Sequence, residues 1–211
     1  MEHIQYCKDD LANLDRISRL KIINSVTGIK PANLIGTIAN NGTTNLAVFS
    51  SVVHLGSDPP LLGFISRPQT KTVGHTLQNI RANGAYTINH IPPGYTEQAH
   101  CTSAKFDRDS SEFTHCGLTE AYVKGCKAPF VKESTFKMAL RFKEAIPISL
   151  NGTTLVIGEI EHLVLPAIAI QDGDIDLELA NSVGISGLNT YYTVKKVARY
   201  PYVRIGEVPE F

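Results

Sequence analysis

Short apolar runs, each ended by a turn signal, recur along the chain from Ala32 onward. The first three runs are ANLIGTIA, NLAVFSSVVH and PPLLGFIS, and the turns between them are Asn40-Asn41-Gly42 and Ser57-Asp58-Pro59. Runs of this length match strands that pair through tight turns better than they match helices. The pattern therefore predicts a mainly β protein built on a closed or nearly closed antiparallel barrel, with helices at its periphery.

The clearest single strand pattern lies between residues 136 and 146, where the side chains alternate between two faces. Phe136, Met138, Leu140 and Phe142 are predicted to face the core. Lys137, Ala139, Arg141 and Lys143 are predicted to face solvent. After the turn Asn151-Gly152, the run TTLVIGEIEHLVL is apolar on both faces apart from Glu159, Glu161 and His162. This second run is typical of a strand that is covered on both sides or buried at a subunit contact.

Helical patterns are fewer. Apolar residues at helical spacing predict one amphipathic helix within residues 1–20: Leu11, Leu14, Ile17 and Leu20. A second helix is predicted to begin with Thr72 as N-cap, to bury Leu77 and Ile80, and to end at Gly84 in the left-handed conformation. Short helical pieces are expected around Gln98 and Glu112. No linker-like stretch divides the chain, so residues 1–211 are expected to form one domain with a helical extension at residues 1–20.

Charge and composition exclude several classes of function. Lys plus Arg and Asp plus Glu number 20 each, so the chain has no net charge with which to attract nucleic acid or an anionic membrane. The first 20 residues carry charges every few positions and predict neither a signal peptide nor a membrane span, so a cytoplasmic location is expected. The four cysteines are too scattered for a disulfide scaffold and are expected to be free thiols.

Sequence motifs for metals and for common cofactor folds are absent. The pairs His100-Cys101 and His115-Cys116 lack the spacing of zinc ligands, and the acidic loop that begins at Asp172 lacks the glycine and glutamate of a calcium loop. No metal site is therefore expected. The chain also contains no Gly-x-Gly-x-x-Gly, Walker or Gly-x-Ser-x-Gly motif, so Rossmann, P-loop and hydrolase functions have no support.

The loop before the second predicted helix has the chemistry of a phosphate site. Hydroxyl and cationic residues lead there into the exposed N–H groups of a helix start, an arrangement that binds anions. The candidate phosphate ligands are Arg67, Lys71, Thr72, His75 and Thr76. An ordinary capped helix with solvated cations would give the same local sequence.

A neighbouring strand, NLAVFSS, has the chemistry of a surface for a flat ligand. Small and hydroxyl residues interrupt its apolar pattern and would let a heterocycle approach the backbone. The candidate contacts are Asn45, Ala47, Phe49, Ser50 and Ser51. Serines on a strand that faces solvent would look the same.

Taken together, these blocks resemble the flavin reductase-like family of FMN-binding split β-barrels. The resemblance runs from about Thr27 to Arg204. It includes SDPPLLGFISRP, KTVGHTLQNIRANGAYTIN, TSAKFDRDSSEFTHCGL and NTYYTV in the family's order. It implies that NLAVFSS lies along the isoalloxazine and ribityl parts of FMN, and that SRPQTKTVGHT binds the phosphate.

The resemblance also implies an activity and partners. It implies hydride transfer from NAD(P)H to FMN, in which the flavin carries out the redox step and no protein acid or base is required. It further implies a homodimer with the flavin near the subunit contact, and electron delivery to free flavin, a partner monooxygenase or another acceptor. The alternatives are an FMN carrier or electron-transfer protein without NAD(P)H activity, and an enzyme like pyridoxamine phosphate oxidase, which the block order fits less well.

Overall fold

The computed structural model describes residues 1–68 and 74–209. Most of its regular structure is antiparallel sheet. The strands are β1 (Lys30–Pro31), β2 (Asn33–Ile38), β3 (Thr44–Phe49), β4 (Val53–Ser57), β5 (Pro60–Ser66), β6 (Ala85–His90), β7 (Glu120–Ala121), β8 (Phe130–Val131), β9 (Lys137–Ile148), β10 (Thr153–Val164), β11 (Ile170–Gln171), β12 (Asp174–Ile175), β13 (Val183–Ser186) and β14 (Thr190–Thr193). The helices are α1 (Lys8–Asn13), α2 (Arg16–Ser25), α3 (His75–Asn83), α4 (Thr96–Cys101) and α5 (Glu112–His115).

One seven-stranded sheet dominates the fold, with the strand order β3-β2-β6-β9-β10-β5-β4. Its two edge strands, β3 and β4, are consecutive in the chain and are joined only by residues 50–52. Seven strands laid flat would separate the two edges by about 29 Å, whereas the link from Phe49 to Val53 reaches at most about 15 Å. The sheet must therefore curl until its edges approach, which produces a barrel with a split between them. The mainly β, antiparallel split barrel expected from the sequence is confirmed.

A serine side chain bridges the split. Ser51 Oγ accepts a hydrogen bond from the Ile65 N–H of β5 at 3.0 Å, so the end of β3 is tied to the opposite side of the barrel. The aromatic rings of Phe49 and Phe64 meet edge-to-face across the same gap, with centroids 5.0 Å apart. Phe64 in turn contacts the ring of Tyr86 at 5.7 Å. The split is thus packed on its inner side and is open on its outer side.

Two hydrophobic cores lie on the two faces of the curled sheet. The first fills the barrel and includes Ile35, Phe64, Leu77, Ile88 and Val156. The second lies outside, between the sheet and the segments that carry α4, α5 and β13, and includes Leu34, Leu46, Ile91, Phe113 and Ile185. Strand β2 separates the cores, because its alternate side chains point into one or the other.

Several sequence predictions of helices and strands are corrected by the structure. The first twenty residues do not form one helix: α1 and α2 are separate because Asp15 caps α2 through its carboxylate, and neither helix contains a buried residue. NLAVFSSVVH forms two strands rather than one because the chain crosses the split at residues 50–52. Ala139, predicted to face water, is buried. Among the described residues no helix is both long and apolar enough to span a membrane.

The predicted N-cap of the third helix is also wrong. Thr72 lies outside the described residues, and α3 begins at His75 with Gly74 as its N-cap. Gly74 has φ 102°, a left-handed conformation that cannot continue a helix, so α3 begins directly after it. The other end is confirmed: Gly84 is left-handed, with φ 70°, and its N–H donates to the Ile80 carbonyl. Leu77 and Ile80 are buried as predicted.

His90 provides a test of the packing at the end of β6. Its ring stacks on Phe136 with centroids 4.1 Å apart, and burial lowers its pKa to about 4. The folded protein therefore holds His90 neutral, whereas the unfolded chain takes up a proton at a pKa of about 6.5. The stability that comes from burying the neutral His90 ring is complete above about pH 6.5. It is lost as the pH falls from there towards the pKa of His90 in the folded protein.

We expect His90→Phe, which keeps a flat ring against Phe136 and does not titrate, to reduce this acid sensitivity. Between pH 7.5 and 4.5 the native chain should lose up to about 3 kcal/mol more unfolding free energy than the variant. Urea unfolding followed by circular dichroism measures both losses. The exposed His54, changed to Gln, is the control for the loss of one histidine from the chain. An equal acid loss in His90→Phe would contradict the assignment.

Candidate functional site

A cavity of about 680 Å³ lies in the split of the barrel. Its size falls within the range of about 300–1,000 Å³ that is usual for cofactor and small-molecule sites. One wall consists of the end of β3 and the link after it, a second wall of the end of β5 and the start of α3, and a third of the chain from α4 to α5. The cavity therefore exists because the two edges of the sheet approach without pairing.

Eight of the ten ligand-binding residues predicted from the sequence line this cavity. They are Asn45, Ala47, Phe49, Ser50, Ser51, Arg67, His75 and Thr76. The other two, Lys71 and Thr72, lie outside the described residues. Two stretches that are separate in the sequence, the strand NLAVFSS and the loop that leads to α3, are thus brought to one site.

The start of α3 is fixed against β3 by buried polar contacts. Asn45 Nδ2 donates to Thr76 Oγ1 at 3.2 Å, and both side chains are buried. Farther along the helix, Asn79 Nδ2 donates to Thr37 Oγ1 at 3.1 Å and Asn83 Nδ2 to the Ile38 carbonyl at 2.8 Å. These contacts hold the first turn of α3, with its N–H groups that have no partner within the helix, at the cavity wall.

This end of the cavity has the chemistry of an anion site. The exposed Arg67 follows β5 on one side, and Gly74, His75 and Thr76 line the cavity at the helix start. Free helical N–H groups, a guanidinium and a hydroxyl are donors that suit a phosphate group.

The free edge of β3 supplies the surface for a flat ligand. The Leu46 N–H points away from β2, because it donates to Glu112 Oε2 at 2.9 Å. Backbone groups alternate along a strand, so the N–H and C=O groups of Val48 point to the same free side. No strand among the described residues pairs with that side of β3. A heterocycle placed there can hydrogen-bond as an additional strand would.

The third wall of the cavity was not predicted from the sequence. It contains residues of the segment from α4 to α5: His100, Thr102, Ser103, Ala104, Lys105, Phe106 and Glu112. Most of these residues belong to the block TSAKFDRDSSEFTHCGL, which is part of the family resemblance but to which the sequence analysis gives no role. Phe106 is held in place by stacking on His115, with ring centroids 5.2 Å apart.

The rim of the cavity is completed by α2 and by the turn between β13 and β14. Asn24, Leu188 and Asn189 line it from these two elements. Lys30 joins the elements, since its Nζ donates to the Asn24 carbonyl at 2.6 Å and lies 3.4 Å from the Gly187 carbonyl. The N-terminal segment is therefore part of the cavity wall.

Neither the His-Cys pairs nor the acidic loop forms a cluster of metal ligands in the part of the chain that the structure describes. His100 lies beside Tyr191, whose hydroxyl is 3.5 Å from His100 Nδ1. The acidic loop is used for ion pairs, because Arg199 contacts Asp172 at 2.8 Å and Asp174 at 3.1 Å.

Comparison with known proteins connects this geometry to one family. Residues 29–174 match the family model of the flavin reductase like domain. A crystal structure from Shewanella frigidimarina NCIMB 400, assigned as a flavin reductase with a split barrel domain, is 46% identical to the chain. It has a TM-score of 0.91 and covers 95% of this chain and 100% of that one.

Two more distant structures share the fold. Nitrilotriacetate monooxygenase component B from Bacillus cereus is 17% identical, with a TM-score of 0.82, over 95% of this chain and 100% of that one. The FMN-binding domain of a flavin reductases-like enzyme from Shewanella baltica OS155 is 18% identical, with a TM-score of 0.63, over 82% of this chain and 90% of that one.

Proposed function

Because the chain belongs to the flavin reductase like domain family, we propose that it is an FMN-binding oxidoreductase that takes hydride from NAD(P)H. The observation that carries this proposal is the cavity in the split, where the start of α3 and the free edge of β3 meet. A phosphate site beside a strand edge suits a ligand that is a dianion at one end and a flat heterocycle at the other. FMN has this form, and the Shewanella baltica relative is named for binding it.

The predicted residues that line the cavity are proposed to hold FMN in two groups. Arg67, His75 and Thr76, together with the N–H groups at the start of α3, would bind the phosphate. Lys71 and Thr72, which lie outside the described residues, belong to the same proposal. Asn45, Ala47, Phe49, Ser50 and Ser51 would line the ribityl chain and ring. The small side chain of Ala47 leaves room for the ring to reach the backbone. When bound, the flavin supplies the redox chemistry, and the protein supplies position and electrostatics.

The electrons would go on to free flavin, to a partner monooxygenase or to another acceptor. The cavity is partly open to solvent, and the segment from α4 to α5 and the turn between β13 and β14 contribute to its lining. A nicotinamide that stacks briefly on a bound ring needs this access and needs no Rossmann crevice. The monooxygenase partner is suggested by the name of the Bacillus cereus relative. A cytoplasmic location belongs to the same proposal, since NAD(P)H is supplied there.

A homodimer is also part of the proposal, and an apolar outer face supports it. Leu155 lies directly opposite both Ile65 and Ile146, so the three side chains share one face of the sheet. Leu55 packs beside Leu155 over Gly63, where a Cβ would lie 3.0 Å from each leucine. Leu55 and Ile146 remain 43% and 39% exposed. Ile65 also lines the cavity, so a second copy on this face would border the flavin site.

The binding test removes the phosphate contacts. We expect Arg67→Ala to weaken FMN binding and Arg67→Ala with Thr76→Ala to raise Kd at least about tenfold, because charge-assisted hydrogen bonds contribute on the order of 1–3 kcal/mol. Quenching of FMN fluorescence measures Kd. Arg81→Ala, which removes a cation from the last turn of the same helix, is the matched control and should leave Kd unchanged. Equal affinities for all variants would reject this phosphate site.

The activity test uses anaerobic mixtures of protein and FMN with NADH or NADPH. Hydride transfer should bleach the flavin absorbance at about 450 nm in the presence of catalytic protein. Faster bleaching with one donor would identify the preferred nucleotide. Binding of FMN without bleaching by either donor would instead identify an FMN carrier or electron-transfer protein.

The assembly test changes the outer face. We expect Leu55→Asp to shift the mass in solution from dimer towards monomer, because burying an unpaired carboxylate at an apolar contact is costly. Light scattering during size-exclusion chromatography measures the mass. Leu150→Asp is the control, because Leu150 is 96% exposed at the turn between β9 and β10. A native chain that is monomeric would contradict the dimer.

A further inference from the structure

Glu112 is a buried carboxylate in the cavity wall. It is the first residue of α5, is only 6% exposed and lines the cavity beside β3. Its Oε2 accepts a hydrogen bond from the Leu46 N–H at 2.9 Å. No lysine or arginine among the described residues forms an ion pair with it. Burial raises the pKa of Glu112, and the hydrogen bond from Leu46 opposes that rise.

The position of Glu112 along β3 gives it a relation to the ligand surface. Its carboxylate accepts the hydrogen bond from the Leu46 N–H on the free edge of β3. The next backbone N–H and C=O groups on that edge belong to Val48, about 7 Å farther along the strand. A ring that docks at the free-edge groups of Val48 therefore lies near a carboxylate that is fixed by the same strand. Within the cavity this charge is screened less than it would be in water.

We propose that Glu112 is a positioning residue that fixes a negative charge beside the bound flavin ring and thereby lowers its reduction potential. The inference rests on the proposed function. A hydride carries two electrons and one proton, so its uptake adds negative charge to the acceptor ring and leaves the nicotinamide positive. A fixed carboxylate opposes that added charge and makes the bound ring a stronger reductant for the next acceptor.

Glu112→Gln tests the charge without removing the hydrogen-bond acceptor for the Leu46 N–H. At pH 8 we expect the ratio of reduced to oxidised bound FMN, at a fixed ambient potential, to rise at least about tenfold, which is about 30 mV for a two-electron couple. Spectroelectrochemical titration of the bound flavin measures this ratio. The affinity for oxidised FMN should change less than about threefold, since the strand edge remains in place.

Glu120→Gln is the matched control. Glu120 is also anchored to β3, through Thr44 Oγ1 at 2.6 Å, but it does not line the cavity. Its variant should leave the potential unchanged. Glu112→Ala also removes the charge, so a higher reduction potential of its bound flavin provides the same test if the glutamine variant does not fold. Because the alanine variant also loses the acceptor for the Leu46 N–H, it should in addition bind FMN more weakly.

The outcomes separate the inference from the proposed function. Suppose that the native protein binds FMN and that NAD(P)H bleaches the bound flavin. An equal reduction potential in the native protein and in Glu112→Gln would then overturn the role of Glu112 and leave the proposed function intact. An equal shift in Glu120→Gln would also overturn it, because the effect would then be one of overall charge. A native protein that does not bind FMN would reject the function and this inference together.

Discussion

The short link between the two edge strands is the constraint on which the rest of the structure depends. Residues 50–52 join β3 to β4 at opposite ends of the strand order, so the sheet has to curl until its edges approach. The edges approach but do not pair, and the contacts near the gap join Ser51 to the Ile65 N–H of β5 and the ring of Phe49 to that of Phe64. The same feature that closes the barrel therefore leaves an unpaired strand edge beside a cavity.

Buried polar contacts determine which chemical groups face that cavity. A helix packed on a barrel by apolar contacts alone could slide or rotate, but α3 is tied to β2 and β3 by three asparagine side chains, Asn45, Asn79 and Asn83. Such contacts specify one arrangement, because a buried amide left without its partner is costly. The first turn of α3 consequently lies at the split, beside the strand edge, where Gly74, His75 and Thr76 line the cavity.

The sequence predicted the longer strands well because their signal is local. Alternation of apolar side chains and Asn-Gly turns identify β2, β9 and β10, and Gly84 ends α3 where a left-handed residue is needed. Features set by tertiary contacts were missed. Ala139 is buried by packing against other parts of the chain, which its small side chain does not indicate in the sequence. The start of α3 depends on the backbone of Gly74 rather than on a capping side chain.

The part of the site that could be predicted is likewise the part whose signal is local. Arg67, His75 and the NLAVFSS strand have local chemistry that suits a ligand, whereas Glu112 and the segment after α4 reach the cavity only through the packing of the second core. Glu112 is joined to Leu46, 66 positions away in the chain, and no pattern in the sequence relates the two.

The two kinds of charge in the cavity wall also fix how a ligand lies in it. A guanidinium and a helix start favour a dianion beside Arg67 and His75, and the Glu112 carboxylate on the α5 wall repels one. Under the proposed function, a molecule with one charged end and one flat end would then have one favoured orientation, with the flat end on the free edge of β3. Because Ile65 belongs both to this cavity and to the apolar outer face, the second subunit of the proposed dimer would also border the ligand. Binding and assembly would then be coupled through one strand, β5.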